Sequence, residues 1–405
     1  MVLQRDGDRG QAAVLSSGLR FTAADVDYLG GDDGRDALAA VAALLLSDAT
    51  RIADVDTARR RFGDRAPVLI ETVLLRRRAA AKFADPRAWL FTDEALQQAT
   101  PESVAAHRAR RLAGAVVHDV TCSVGAELAS LRSVAAQVVG SDLDPVRVAM
   151  ARHNVAGVDV LVADALRPVT RGTVVVADPA RRAGGRRRFD PRDYTPALDA
   201  LFDVYAGRDV VVKCAPGIDF TSLPRLGFAG EVEVTSLAGS VREACLWSAG
   251  LAEPGVTRRA TVLDRDETLT DADADDCEVA PAGRWIVDPD GAVVRAGLVR
   301  HYAARHGLWQ LDPEIAYLSG DERPAGVRAF EVLEQIDFNE RRLRQALSAR
   351  EVGAVEILVR GVDVDPDVLR RKLRVHGPHR ISVVITRLGA GRDSRAVAYL
   401  CRPTH

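Results

Sequence analysis

The fold is decided by the stretch at residues 115–127, which reads AVVHDVTCSVGAE. A short apolar run, Ala115–His118, leads into small and polar residues up to Gly125, and a helical pattern follows from Glu127. A strand, a loop of small residues and a helix form the opening of a βαβ unit. Because small side chains let the backbone approach a ligand closely, the loop at 119–125 is a candidate binding loop.

The same alternation continues towards the C-terminus. Four further strands are expected at Val138–Ser141, Val158–Val162, Thr173–Ala177 and Asp209–Lys213, and helices at Glu127–Arg132, Pro145–His153 and Pro196–Tyr205. This alternation predicts an α/β domain with a Rossmann-like, doubly wound parallel sheet. Two strand-like runs without a helix between them, Glu231–Leu237 and Val241–Ser248, predict a hairpin that closes the sheet.

The residues that precede the loop, 21–114, have a helical pattern. Ala37–Leu46, the longest apolar run, has ten residues, about half of the ~20 that a bilayer requires, and we expect a buried helix there. Thr100 followed by Pro101 predicts a capped helix start. The polar N-terminus, residues 1–8, lacks the apolar core of a signal peptide, so we expect a cytoplasmic protein.

The C-terminal part of the chain carries an excess of basic residues. Residues 341–405 hold 14 Lys or Arg and 6 Asp or Glu, whereas the whole chain holds 55 and 57. A basic module on an acidic body predicts contact with a polyanion. Its pattern predicts a small β-α-β-β unit, so we expect a helical domain (1–112), an α/β domain (113–252), a mixed connecting region (253–340) and a basic α+β domain (341–405).

The composition excludes several classes of protein. With 47% apolar and 28% charged residues, the chain is neither disordered nor fibrous. The near balance of acidic and basic residues excludes a histone-like polycation. The five cysteines are scattered, without the CxxC or Cys/His spacing of a zinc site, so we expect a reduced protein with no metal.

Four acidic residues directly follow four successive predicted strands: Asp119, Asp142, Asp164 and Asp178. In an open α/β sheet the ligand lies beyond the carboxyl ends of the strands, so we expect these side chains to face one crevice. The alternative is ordinary loop capping. The loop at 119–125 has one glycine instead of GxGxxG, so NAD or FAD fits it poorly, and it suits a smaller anion such as the carboxylate of a methionine moiety. Asp142 is placed to bind ribose hydroxyls, whereas Asp144 before Pro145 is expected to cap a helix.

These motifs resemble class I S-adenosylmethionine-dependent methyltransferases. The resemblance rests on the loop at 119–125, on Gly140-Ser141-Asp142-Leu143-Asp144-Pro145 with Asn154 after it, on Asp164-Ala165 and on Asp178-Pro179. It implies S-adenosylmethionine as the cofactor, bound by Asp119, Thr121, Ser123, Gly125, Asp142, Asp164 and Ala165. Residues 100–107 are similar to the helix that enters the domain in trimethylguanosine-synthase-like enzymes.

The tail, with Arg360-Gly361 after its first strand, resembles a THUMP-like module. THUMP domains bind RNA in several RNA-modifying enzymes, so the resemblance implies an RNA substrate. Six arginines within residues 181–192 predict a second contact with phosphates. No membrane partner is expected.

The fourth motif bears on the chemistry. Amino-methylating relatives carry Asp/Asn-Pro-Pro-aromatic, in which the acid or amide and the next carbonyl hold an exocyclic amine and the aromatic ring stacks on the base. Here the run is Asp178-Pro179-Ala180-Arg181, so the resemblance implies Asp178, Pro179 and Arg181 as catalytic-site residues but leaves the stacking position without a ring. The aromatic residues that could replace it are Phe189, Tyr194, Trp89 and Phe91.

Three alternatives stay open at this point. Uracil-5 RNA methyltransferases carry a nucleophilic cysteine after the next strand, where this chain has Cys214 beside Lys213. The altered fourth motif is also compatible with an RNA-binding protein that has lost catalysis. Finally, the chain could methylate a substrate other than RNA, with a tail that is only structural.

Overall fold

The computed structural model describes residues 19–180, 182–183, 186–187 and 193–403. The chain divides into two units. Unit 1 contains the residues up to Ala229 together with Leu246–Leu251, and unit 2 contains Gly230–Cys245 and the residues from Ala252 onward. In these described ranges, no helix combines the length and the apolar character that crossing a membrane would require.

Helices open unit 1, as predicted for residues 21–114. They are α1 (Ala23–Gly30), α2 (Asp32–Ala42), α3 (Arg51–Phe62), α4 (Ala66–Ala79), α5 (Asp93–Gln98) and α6 (Glu102–Arg110). Thr22 begins the first of them with a capping box, in which its side chain and that of Asp25 bond each other's backbone N–H. Buried apolar residues of α1–α5 form one core that also contains Val124 of the candidate loop.

Two details of this helical region differ from the prediction. The buried helix expected over Ala37–Leu46 ends at Ala42, where the Arg77 guanidinium donates to the carbonyls of Ala42, Leu44 and Leu45. Leu45, beyond the helix end, is 71% exposed. Thr100 does not cap α6, whose N-cap is Pro101 without a side-chain bond. The Thr100 hydroxyl accepts a hydrogen bond from Lys213 instead.

The rest of unit 1 is the predicted parallel α/β sheet. Its strands are β1 (Val116–Asp119), β2 (Gln137–Asp142), β3 (Asp159–Val162), β4 (Val174–Ala177) and β7 (Val210–Cys214), and a two-residue pair, β5 (Arg182–Ala183) and β6 (Arg186–Arg187), precedes β7. Helices α7 (Ala126–Leu131), α8 (Pro145–Asn154) and α9 (Leu198–Val204) connect them. Each observed bound lies within two residues of the expected one.

These five strands have the order β3-β2-β1-β4-β7, and each neighbouring pair is parallel. The chain runs outward from β1 to β3 and then returns to the other side of β1, so the strand order reverses between β1 and β4. Such a switch point opens a crevice at the carboxyl ends of the strands. Asp119 of β1 pairs with Gly140 and with Val176, which places the ends of the three central strands at one level.

Unit 2 begins with the predicted hairpin. Its first strands are β8 (Gly230–Leu237), β9 (Ser240–Ser248, of which Leu246–Ser248 belong to unit 1), β10 (Arg258–Val262) and β11 (Glu267–Thr270). Strand β10 runs parallel to β8, and β11 runs antiparallel to β10. Two helices follow, α10 (Gly291–Ala296) and α11 (Val299–His306).

A seven-stranded sheet forms the remainder of unit 2. Its strands are β12 (Trp285–Val287), β13 (Trp309–Gln310), β14 (Leu318–Gly320), β15 (Ala329–Asp337), β16 (Val352–Arg360), β17 (His379–Leu388) and β18 (Arg395–Pro403), with helices α12 (Glu340–Ser348) and α13 (Pro366–Leu373). The predicted β-α-β-β unit is present as β16-α13-β17-β18. Because β18 pairs with β15, strands of the region expected as a connector belong to the same sheet as the basic domain.

Candidate active site

A cleft of about 330 Å³ lies at the carboxyl edge of the unit 1 sheet. It is lined by most of the predicted site residues: Asp119, Thr121, Ser123, Asp142, Asp164, Ala165 and Asp178. The four aspartates therefore share one crevice, as their positions after successive strands predicted. The volume lies in the range of pockets that bind small molecules and cofactors.

Asp119 is the most deeply buried acid of the cleft, with 3% of its surface exposed. One carboxylate oxygen accepts the Thr121 backbone N–H at 3.0 Å. Burial raises the pKa of Asp119 well above its usual value, and the nearby carboxylates of Glu127, Asp178 and Asp142 raise it further. The neutral form of the Asp119 carboxyl is therefore favoured.

Two backbone N–H groups hold the carboxylate of Asp142. The Ser123 N–H donates to one oxygen and the Asp144 N–H to the other, both at 2.9 Å. Ser123 adopts a φ of 50°, a left-handed conformation that turns its N–H towards the acid. Each oxygen keeps a second lone pair, so the carboxylate can still accept from two hydroxyl groups.

Gly125 shapes the loop but does not line the cleft. Its φ is 89°, and a Cβ there would lie 2.9 Å from Val155, so the position needs glycine on both counts. Its N–H donates to the Cys122 carbonyl. Asn154 holds the loop from behind, because its amide donates to the carbonyls of Val124 and Leu90, each at 2.9 Å.

An apolar wall stands beside Asp142. Leu143 is 70% exposed, and it lines the cleft together with Ala165 and Leu166. Asp164 accepts the Leu166 N–H at 2.9 Å, and the Ala165 carbonyl accepts the hydroxyl of Tyr205 at 2.7 Å. These bonds fix the backbone of the wall, which can receive a flat apolar group.

The opposite end of the cleft is built around Asp178. Its backbone N–H donates to the Thr121 hydroxyl at 2.6 Å, which joins the ends of β1 and β4. Its carboxylate lies 2.5 Å from Nζ of Lys213 and keeps 37% of the side-chain surface exposed. Pro179 is buried and is not among the residues that line the cleft.

Arg181 and most of the arginine-rich segment at 181–192 lie outside the described residues, as does Phe189. The residues that flank the segment are described: Ala180 and Thr195 exchange two backbone hydrogen bonds of 2.8 and 3.0 Å. Both residues line the cleft. The residues on both sides of the segment therefore stand at the wall of the site.

Arg108 is a cleft residue that the sequence patterns did not single out. It is 3% exposed and makes a bidentate ion pair with Glu127, with Nε–Oε1 and Nη2–Oε2 distances of 2.8 and 2.5 Å. A signal was present, because Arg108 shares the apolar stripe of α6 with Val104, Ala105 and Ala109. An arginine in such a stripe indicates a buried partner.

A sequence model described as THUMP domain-like matches residues 327–403. Two curated relatives are 66% identical over 356 residues, with 85% of this chain and 99% of each relative aligned. Both are described as uncharacterised S-adenosylmethionine-dependent methyltransferases of Mycobacterium tuberculosis, from strains CDC 1551 and H37Rv. The chain belongs to this methyltransferase family.

A solved structure supports the fold of the methyltransferase. The crystal structure of a candidate methyltransferase from Porphyromonas gingivalis W83 covers 89% of this chain and 100% of its own length, with a TM-score of 0.67 and 18% identity. The expected Rossmann-like sheet with a C-terminal THUMP-like domain is thus confirmed, and the cofactor of the methyltransferase is S-adenosylmethionine.

The remaining candidates, including Trp89, do not line the cleft of the methyltransferase. Tyr194 is 3% exposed and its hydroxyl accepts the Ala215 N–H, and Phe91 packs in the helical core. Cys214 is fully buried with Sγ 3.9 Å from the Val212 carbonyl, and it is not a cleft-lining residue. The geometry therefore gives no support to the uracil-5 alternative, which requires an accessible thiolate.

Proposed function

We propose that the protein methylates RNA at a base nitrogen, in the cleft of unit 1. One observation carries the proposal: the partly exposed carboxylate of Asp178 shares the cleft with Ala180 and Thr195, between which the six arginines lie. A carboxylate can orient an amine, and arginines bind phosphates. Their proximity favours a substrate that carries both groups, as nucleic acids do.

The residues of the cleft fit S-adenosylmethionine. Asp142 has free lone pairs for the two ribose hydroxyls, and the wall of Leu143, Ala165 and Leu166 suits the adenine ring. Burial is the main cause of the raised pKa of Asp119, and the neighbouring carboxylates that add to it would attract a cationic ligand. When bound, the cofactor supplies an electrophilic methyl group.

The chain's own residues position the acceptor. Thr121 fixes the backbone of Asp178, and Lys213 fixes its carboxylate, so the lone pairs of Asp178 that the described residues leave unused point from a rigid support. An acceptor amine that donates to this carboxylate is held in one orientation. Such alignment supplies a large share of what an in-line displacement requires.

The basic surface of unit 2 supports RNA as the substrate class. Exposed basic side chains lie on α12, on α13 and its C-cap, and at the start of β17: Arg341, Arg342, Arg344, Arg371, Lys372, Arg374 and Arg380. They fall within the THUMP-like match. Clustered exposed cations bind a phosphate backbone without reading its sequence, and their contribution weakens as salt rises.

The assignment of Asp142 to cofactor binding is tested by calorimetric titration of S-adenosylmethionine into the wild type, D142A and D144A. Loss of the Asp142 carboxylate removes hydrogen bonds to a charged group, so we expect affinity to fall on the order of 100-fold. Asp144 is a matched control because it caps α8 without lining the cleft, and D144A should change the affinity by less than about threefold. Equal effects of the two variants would overturn the assignment.

The substrate class is tested by mass spectrometry of the nucleosides of total RNA from cells with and without the gene. We expect one methylated amino-nucleoside to disappear with the gene and to return when the purified protein and S-adenosylmethionine are added. An unchanged nucleoside profile, with cofactor binding intact, would contradict RNA as the substrate. Cofactor binding without any methylated product would favour the catalytically silent alternative.

A further inference from the structure

Three segments of unit 1 meet at the side chain of Lys213. Its Nζ lies 2.5 Å from a carboxylate oxygen of Asp178, at the end of β4, and 2.6 Å from the hydroxyl of Thr100, between α5 and α6. Lys213 is 5% exposed, and it lines the cleft. A buried cation therefore stands directly beside the carboxylate that we assign to the acceptor.

Stability alone does not account for this lysine. Burying an ion pair costs desolvation that often cancels the attraction, so apolar residues of similar size are commonly as stable. The surrounding positions of β7 show that the strand accepts apolar residues, because Val210, Val211 and Val212 are all buried. The charge of Lys213 in such a strand therefore indicates a functional role in the cleft.

The ammonium group has one donor left for that task. Nζ carries three N–H groups, and in the described part of the chain two of them are taken up by Asp178 and Thr100. Since Lys213 lines the cleft, the third N–H is available to a group bound there. The acceptor end of the cleft thus presents a fixed hydrogen-bond acceptor, Asp178, next to a fixed cationic donor, Lys213.

We propose that Lys213 determines the specificity for the acceptor: it donates to an unprotonated ring nitrogen beside the amine that donates to Asp178. This inference rests on the proposed function and narrows it. The complementary ligand is an amino-nucleobase that places an amine next to a ring nitrogen with a free lone pair. Uracil has no amine and does not offer this pattern.

The test compares the wild type with K213M, using RNA from cells that lack the gene as the probe. Lysine and methionine have similar lengths, so K213M removes the charge and the donors with little change in volume. We expect kcat/KM for RNA to fall on the order of 100-fold, as for loss of a hydrogen bond to a charged group. The calorimetric affinity for S-adenosylmethionine should stay within about twofold, because the lysine lies at the acceptor end.

Chemical rescue separates a positioning role from a structural one. In K213A the missing ammonium leaves space in the cleft, and added methylammonium should restore activity in a saturable manner. Lys82 is the matched control, because its Nζ donates to the carbonyls of Leu96, Gln97 and Ala99 at the end of α5. K82A should lower the melting temperature and should show no rescue by the amine.

The outcomes distinguish the two proposals. If the wild type methylates no RNA, the proposed function fails and this inference fails with it. If the wild type methylates RNA and K213M is as active, or if the product is a methylated uridine, only the assignment of Lys213 is overturned. A loss in K213M that matches the loss of cofactor affinity would also overturn it.

Discussion

Two parallel βαβ crossovers, one in each unit, end in opposite ways. In unit 1, β1-α7-β2 opens into the cleft, and Asp119 and Asp142 stand at its two strand ends. In unit 2, β16-α13-β17 has the same parallel pairing. Its first strand ends at Arg360, which is bound to Asp288 at 2.8 Å and lies over the ring of Tyr317.

In unit 2, side chains from other segments of the unit fill the space at the end of β16. The next residue, Gly361, has a φ of 71°, and a Cβ there would lie 2.5 Å from Ile315. In unit 1 the corresponding space is left to small loop residues such as Ser123 and Gly125. Parallel βαβ geometry alone therefore does not make a binding site. In unit 1 the loop at 119–125 leaves a cleft open, and the carboxylates of Asp119 and Asp142 face that cleft.

The largest difference between the units is expected in the unfolding free energy that is lost when a paired arginine, Arg108 or Arg360, is replaced. R108M leaves Glu127 buried without its bidentate partner, and breaking a buried pair costs about 3–5 kcal/mol. Asp288 is about as buried as Glu127, but Arg360 itself is 28% exposed and Asp288 keeps a second cation, Arg328, at 3.8 Å, so R360M should cost less, about 1–2 kcal/mol. Hydrogen exchange measured along the chain in urea locates each loss. Equal losses in the two units would contradict the contrast.

The pH dependence of the unfolding free energy should also differ between the two units. Burial, with a smaller contribution from the charge of Arg208, lowers the pKa of His118 to about 4, and both ring nitrogens are bonded, to Thr170 and Ser141. In the unfolded chain His118 becomes protonated near pH 6.5, whereas in the folded chain it stays neutral until the pH approaches 4. As pH falls from 6.5 towards 4, unit 1 should therefore lose about 3 kcal/mol of unfolding free energy.

The control for this loss is H118Q, because Asp119 contributes a slope of opposite sign. The raised pKa of Asp119 favours its protonated form in the folded state, so acidification through that pKa adds stability. The difference between wild type and H118Q at each pH isolates the histidine. A difference that does not change between neutral pH and pH 4 would refute the buried neutral imidazole.

Two glycine substitutions, one in each unit, should differ in their effect on cofactor affinity. G125A places a side chain at positive φ against Val155, and such strain costs about 1–2 kcal/mol. Since this loop carries the N–H that holds Asp142, cofactor affinity should fall about tenfold. G361A meets Ile315 and should lower only the stability of unit 2. Calorimetry and thermal unfolding of both variants check this, and reduced cofactor affinity in G361A would contradict it.

The smallest effect is expected at an exposed ion pair of unit 2. Arg387 and Glu314 are 2.6 Å apart, but Glu314 is 69% exposed. Surface pairs contribute little, so E314Q should change the unfolding free energy by less than about 0.5 kcal/mol. A urea titration that shows a loss as large as that of R108M would remove the distinction between buried and exposed pairs.

The sequence predicted those features that depend on neighbours along the chain. The bounds of the strands and connecting helices in the parallel sheet of unit 1, and the alignment of Asp119, Asp142, Asp164 and Asp178, follow from local periodicity and from the rule for parallel sheets. The cap of α8 by Asp144 is equally local. All of these are confirmed by the structure.

The features that were missed depend on contacts between distant residues. Thr100 has the local pattern of a helix cap, but Lys213, 113 residues later, provides a donor that only the fold brings near. The same holds for Arg108 and Glu127 and for the core that joins Val124 to the helices. A lysine in an apolar strand of a chain with only three lysines was the available signal.

The most direct test of the account is a crystal structure of the protein with S-adenosylhomocysteine. We expect the adenine ring against Leu143 and Ala165, and both ribose hydroxyls about 3 Å from the carboxylate of Asp142. A nucleoside bound outside the unit 1 cleft, or an Asp142 side chain turned away from the ribose, would contradict the account.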